Sequence, residues 1–186
     1  MLFCNLVNIY CQEKIDYSNI KKVELFLLQS ECRNPNSYNK FQTEYEQKTF
    51  FNKFKSSEDI PNDRCEFYID LENCEIQLTP FLNTFDIEKF DWNSSKIVLT
   101  KRGIEKLKIL DVPLNGSAFV LKLNQKIIYG GWFWNRFSSI GCDRIWTWQH
   151  PDENELKLRF GLGGFKCGTD SRIDKRLIDI AIESGK

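Results

Sequence analysis

The 186 residues contain one histidine, His150, and no two cysteines in a C-x-x-C spacing. Zinc ribbons and fingers need such ligand sets, so a structural zinc centre of that kind is excluded. Nucleophilic catalysis by serine or cysteine needs a base within reach, and His150 stands before Pro151 in the polar stretch "QHPDEN", where it reads as a surface residue. No run of 18 apolar residues exists, so nothing reads as a membrane-spanning helix. Lys+Arg and Asp+Glu number 26 each, without the positive excess of a dedicated nucleic-acid binder. The glycine-rich "GLGGFKCG" lacks G-K-[ST] and is no phosphate loop.

What is present suits a folded domain. Apolar residues make up 41% and aromatic ones 14%, enough for a substantial core. The charge is balanced but uneven. Lys40 to Asp91 carries six basic residues against twelve acidic, and Lys96 to Lys126 carries seven basic against Glu105 and Asp111. Two solvated faces of opposite sign, or an electrostatically steered partner site, would each follow from that division.

The opening "MLFCNLVNIYCQ" is apolar and free of acids, and it gives way abruptly to "EKIDYSNIKK". Residues 1–12 read as the tail of a truncated signal peptide, so the expected location is exported, with a cytoplasmic one as the alternative. Cys11 is a poor lipid-anchor site because Ile9 and Tyr10 before it are not small. Outside that stretch stand Cys32, Cys65, Cys74, Cys142 and Cys167. Five thiols allow two disulfides and one odd cysteine in an oxidising compartment.

Along the chain, Val23 to Leu28 reads as a buried strand. Phe41 to Lys55 fits neither helical nor strand period. "CEFYIDLENCEIQLTP" reads as two short strands turning near Glu72 and Asn73, which would bring Cys65 and Cys74 together as a disulfide. "DIEKFDW" reads as a helical turn burying Phe90 and Trp92. "SKIVLT" is a strand, and Thr100 caps a helix with Ile104, Leu107 and Leu110 on one face. Pro113 and Gly116 end it. "SAFVLKLN" alternates, and Asn124-Gln125 turns it into "KIIYGGWFW"; strands follow at "DRIWTWQ" and "ELKLRFG". Ser171 and Asp174 start a C-terminal helix over Arg172 to Ile182.

Residues 96–132, "KIVLTKRGIEKLKILDVPLNGSAFVLKLNQKIIYGGW", resemble the head subdomain of the periplasmic P1 region of SecD. Leu99, Thr100 and Gly103 match its L-T-x-x-G helix start, Gly116 its glycine, Phe119 to Leu123 its strand, and Ile127 and Ile128 the residues after its turn. The resemblance implies an α+β fold and an extracytoplasmic setting. It covers about a fifth of the chain, departs at "YGGWFW", and carries over no translocation activity. The whole chain also resembles small exported bacterial proteins that pair this head with an extra N-terminal region.

The expected fold is therefore α+β, a mostly antiparallel sheet with two helices packed on one face. Residues 13–95 form an N-terminal region that joins the head-like residues 96–186 in one compact domain.

Four of five tryptophans lie in "YGGWFWNRFSSIGCDRIWTW". If that segment is a hairpin turning at Ser139 to Gly141, Trp134 faces Trp146 and Trp132 faces Trp148, all on one sheet face. Such a strip is too apolar to leave open, so it should pack under the helix at Lys101 to Leu110 or the C-terminal helix at Arg172 to Ile182, at most one ring rimming a groove. Trp132, Trp134, Arg136, Trp146 and Trp148 are the candidate rim.

The acids Asp86, Glu88 and Asp91 could form a catalytic pair, but helix-cap and solvent-face roles account for each. Asp170 and Asp174 alternate with Arg172 and Arg176, a pattern of helix pairing rather than a calcium loop. No catalytic residue, metal or cofactor is expected. The expected function is a non-enzymatic binding or protein-interaction module whose partner is a protein or envelope component and not a nucleic acid. The alternatives are a small carboxylate-dependent hydrolase and a cytosolic immunity or inhibitor protein.

Overall fold

A computed structural model describes residues 22–29, 32–150 and 154–173. The expectations for residues 1–12, for the helix after Ile173, and for Asp174 and Arg176 lie outside the described residues. Within them the fold is α+β, with two helices and two mostly antiparallel sheets.

The larger sheet is built from β1 (Val23–Leu27), β4 (Ser117–Leu123), β5 (Lys126–Trp134), β6 (Ile145–Trp148) and β8 (Arg159–Phe160), in the order β1-β4-β5-β6-β8. The smaller has β2 (Ile87–Asp91), β3 (Lys96–Leu99) and β7 (Glu155–Lys157), in the order β2-β3-β7. Helix α1 spans Glu44–Phe51 and α2 spans Lys101–Ile109.

Local chemistry explains the well-formed elements. Phe119, Leu121 and Leu123 alternate along β4 and are fully buried. Asn124 and Gln125 both take positive φ, 45° and 71°, which turns β4 tightly into β5. Thr100 caps α2 by accepting the Gly103 amide. Gly103 is required there: a Cβ would lie 2.3 Å from the Asp86 carbonyl oxygen. The ambiguous segment settles as α1, started by a capping box between Thr43 and Glu46.

Three expected elements differ. Residues 65–80 hold no hydrogen-bonded strand pair. The Asp70 carboxylate accepts from the Glu72 amide and the Asn73 side chain to make a turn, and Ile76 then bridges to Leu28 beside β1. That course carries Cys74 to Cys32, with Cα atoms 5.8 Å apart, while Cys65 joins Cys167 at 5.6 Å. The expected Cys65–Cys74 pair is thus replaced by two disulfides that each tie distant segments.

"DIEKFDW" is strand β2 rather than a helical turn. Asp91 accepts from Ser94 and Asn93, turning β2 back into β3, and Phe90 and Trp92 meet edge-on with centroids 3.9 Å apart.

The tryptophan strands pair in parallel. Trp132 lies opposite Trp146, Phe133 opposite Thr147 and Trp134 opposite Trp148. Residues 135–144 form a crossing connection instead of a hairpin turn. Asn135 starts it by accepting the Phe137 amide and donating to the Val112 carbonyl, and the Trp134 indole donates to Ile140. All four tryptophans still share a face, because paired residues do so in either orientation.

Among the described residues no helix covers that face. Leu107 of α2 packs with Phe119, Leu121 and Phe133 on the opposite face. The tryptophan face packs instead on Phe67, Ile69, Cys32 and Cys142. A third cluster, Tyr38, Ile60, Cys65 and Cys167, is closed by Phe50 and Phe51 of α1.

Candidate functional site

The tryptophan face is mainly core. Trp132, Trp134 and Trp146 are 2%, 0% and 3% exposed, and only Trp148 is half-buried. Phe67 meets both Trp132 and Trp134 edge-on, at 5.3 and 4.9 Å. The Trp132 indole donates to the Phe67 carbonyl at 2.8 Å, so apolar contact and polar satisfaction fix the same ring. Of the five rim candidates, Trp148 and Arg136 alone reach the surface, with the guanidinium 5.9 Å from the Trp148 ring centroid.

Beside them lies the chain's exposed apolar rim. Phe137 is 89% exposed in the β5–β6 connection, and Ile140 follows it. The Asn135 bond to Val112, with a Gln149 side-chain bond to the Leu110 carbonyl, fastens this connection to the segment after α2. Ile109, the last residue of α2, is 84% exposed, and Leu114 in that segment is exposed too. Lys101 and Lys108 are exposed on the adjoining helix.

At the other end of the same face, two charged residues enter the core side by side. Asp143 accepts the Tyr38 hydroxyl and the Glu66 and Phe67 amides at 2.9–3.0 Å. Burial outweighs these bonds and raises its carboxyl above the usual range. The same burial, reinforced by Asp143, pushes the Tyr38 phenol far up. Cys142 is the remaining free cysteine among the described residues, and burial raises its thiol well above the ordinary value. Such a thiol is inert.

Arg144 is 6% exposed and bonds through Nη1 to the Asn62 side chain and the Cys167 carbonyl. Desolvation lowers its pKa. It lines a cavity of ≈ 560 Å³ with Asp63, Asp70, Glu72, Phe67 and Tyr68. Sequence reasoning missed both Asp143 and Arg144. The available signal was an acid and a base, "CDR", running directly into an apolar strand.

The other candidate acids do not converge. Asp86 is fully buried, with Arg102 and Lys106 nitrogens 2.8 and 2.7 Å from its carboxylate. It accepts the Asn83 amide and so locks α2 onto the loop before β2. Glu88 is exposed on β2, and the Ser94 hydroxyl holds the Asp91 pKa down. His150 is exposed, and its carbonyl accepts from Arg136. Asp170 pairs with Arg172 at 2.6 Å.

Cys65, Asp143 and Cys167 place donor atoms within 4.8 Å of one another. Both sulfurs are bonded to each other, however, and a disulfide supplies no thiolate ligand.

The chain matches no protein-family model, no curated protein and no solved structure.

Proposed function

We propose that this chain is an exported, non-enzymatic protein-interaction module that binds its partner through Phe137, Ile140, Ile109 and Leu114. The observation that carries the reading is Phe137, a large aromatic left 89% exposed in a connection pinned by side-chain bonds. Isolated exposed apolar residues are ordinary, but Phe137 and Ile140 stand on a connection fastened to the segment that runs from the end of α2, with Ile109, past Leu114, the pattern of a contact surface. Trp148 and Arg136 flank it, residue types that dominate binding energy at interfaces.

Two disulfides support an oxidising location. The hydrolase alternative is the weaker reading, because Asp86 is consumed by its two cations and Asp91 by its turn. For residues 96–132 the SecD-head reading is supported by the order β3, α2, β4, β5 and by the turn at Asn124-Gln125.

A photo-crosslinking side chain placed at Phe137 in cells exporting the protein should give one discrete adduct. The adduct should vanish in the Ile109→Ser/Leu114→Ser variant and be absent from Leu78, which is exposed elsewhere. No adduct at 137, or ester, glycoside or phosphoester hydrolysis abolished by Asp86→Asn, would overturn the reading.

A further inference from the structure

Arginine is rarely buried without a carboxylate partner, because desolvating a guanidinium costs several kcal/mol that only a nearby counter-charge offsets. Arg144 is 6% exposed, yet no carboxylate lies in ion-pair contact with it among the described residues. Asp143 and Asp170 act on it only through space, and Asp143 already accepts from Tyr38, Glu66 and Phe67. Arg144 hydrogen-bonds through Nη1 alone, to two neutral oxygens, with its guanidinium carbon 5.4 Å from the Phe160 ring centroid; Nε and Nη2 make no hydrogen bond among the described residues. Neither of those atoms is sealed off, since the unpartnered atoms fully closed to solvent belong to other residues. The side chain lines the ≈ 560 Å³ cavity, where these donors find space.

The cavity's lining is also acidic. Asp63 and Glu72 are exposed and Asp70 half-buried, and none pairs with a cation among the described residues. Phe67, Tyr68, Ile69 and Leu71 add an apolar part to the same lining. A multiply charged anion such as phosphate would meet three carboxylates on its way to one arginine. A cation alone would leave the guanidinium's Nε and Nη2 without an acceptor. A molecule carrying one carboxylate and one ammonium satisfies both kinds of group.

We propose that this cavity is a binding site for a free α-amino acid, its carboxylate on Arg144 Nε and Nη2 and its ammonium toward Asp63, Asp70 and Glu72. Planar two-point contact with a carboxylate is the geometry a guanidinium provides and a lysine would not. The apolar part of the lining takes the amino-acid side chain, so leucine or lysine should bind better than glycine. This site is separate from the Phe137 rim, and neither proposal depends on the other.

The test is a titration of the oxidised protein with L-leucine, L-lysine, glycine, acetate and inorganic phosphate. It follows the Arg144 Nε–H and Gly130 amide resonances. Saturable shifts with the amino acids, weaker ones with acetate and none with phosphate are expected. Arg144→Gln should weaken amino-acid binding at least about tenfold, the usual range for losing a charged hydrogen-bond partner. Because Arg144 also braces Asn62 and Cys167, an Asp63→Asn/Glu72→Gln variant provides a second arm at exposed positions. It should weaken L-leucine several-fold while leaving acetate unchanged or improved. Tighter phosphate than amino-acid binding, no saturable shift with any probe, or undiminished L-leucine binding in folded Arg144→Gln would each overturn the proposal.

Discussion

The Tyr38 hydroxyl donates to Asp143 at 2.9 Å across 105 residues of sequence, and the same carboxylate takes the amides of Glu66 and Phe67. One side chain thereby joins the start of β6, the segment carrying Phe67, and the cluster closed by α1. The bonds from Tyr38 and Phe67 are buried and that from Glu66 is partly so, so a missing acceptor leaves at least two donors unsatisfied. Asp143→Ala should cost roughly 3–5 kcal/mol in chemical denaturation.

The pH dependence has a defined sign. Burial raises both Asp143 and Glu66 above their ordinary values of 3.8 and 4.5. Between the ordinary and the raised value, the folded chain holds a proton that the unfolded chain has lost. Stability from these two groups therefore falls as pH rises through that window and is level above it. Urea midpoints measured from about pH 4 to 7 should show the fall, and Asp143→Asn should flatten it while lowering every midpoint. A wild-type profile that rises throughout this range would contradict the assignment.

The two disulfides close loops of 102 and 42 residues, Cys65 to Cys167 and Cys32 to Cys74. On chain entropy the first contributes up to about 5 kcal/mol and the second up to about 4. The Cys65→Ser/Cys167→Ser variant should therefore melt lower than Cys32→Ser/Cys74→Ser. Native protein should show no thiol reactivity from buried Cys142, which should label only in denaturant.

Local interactions account for what was legible in the sequence. β4, its Asn124-Gln125 turn and α2 with its Thr100 cap depend on near neighbours, and each appears within a residue of its expected place. The disulfide pairing and the parallel β5–β6 register depend on where distant segments run, and neither leaves a local trace. The aromatic composition pointed correctly to a shared tryptophan face. It did not show that Phe67 and its loop, rather than α2, would pack on it. Arg144 escaped notice because a lone arginine before a strand looks like any surface charge until its burial is known.

Gly103 carries a different kind of constraint. The Asp86 carbonyl accepts the Thr100 amide where α2 begins, so helix and loop backbones touch at Gly103. Gly103→Ala would gain helix propensity of about 1 kcal/mol, but its methyl would strike a backbone atom that cannot rotate away. A net loss of roughly 2–3 kcal/mol is expected, together with loosening of the Asp86 contacts to Arg102 and Lys106. Thermal melts would show it, and a stabilised variant would mean that α2 does not sit this close.

Trp134 and Phe137 stand three residues apart, and the structure gives them opposite roles. Trp134 is sealed, its ring edge-on to Phe67 and close enough to Gly116 that a Cβ there would come within 2.7 Å. Removing it opens a cavity that two neighbouring rings cannot fill, so Trp134→Ala should cost about 3–5 kcal/mol. Phe137 is 89% exposed, and Phe137→Ser should change stability by no more than about 0.5 kcal/mol. Its cost should appear in partner capture instead, where loss of a central aromatic removes about 2 kcal/mol or more, a thirtyfold weakening or greater. Trp148→Ala should fall between the two, losing a half-buried ring, its 4.6 Å contact with Trp146 and the Arg136 stacking. Melts of the three variants, set beside crosslinking yield at the rim, separate core from surface. If Phe137→Ser destabilised the fold as much as Trp134→Ala, the ring would be part of the core and the contact surface would have to lie elsewhere.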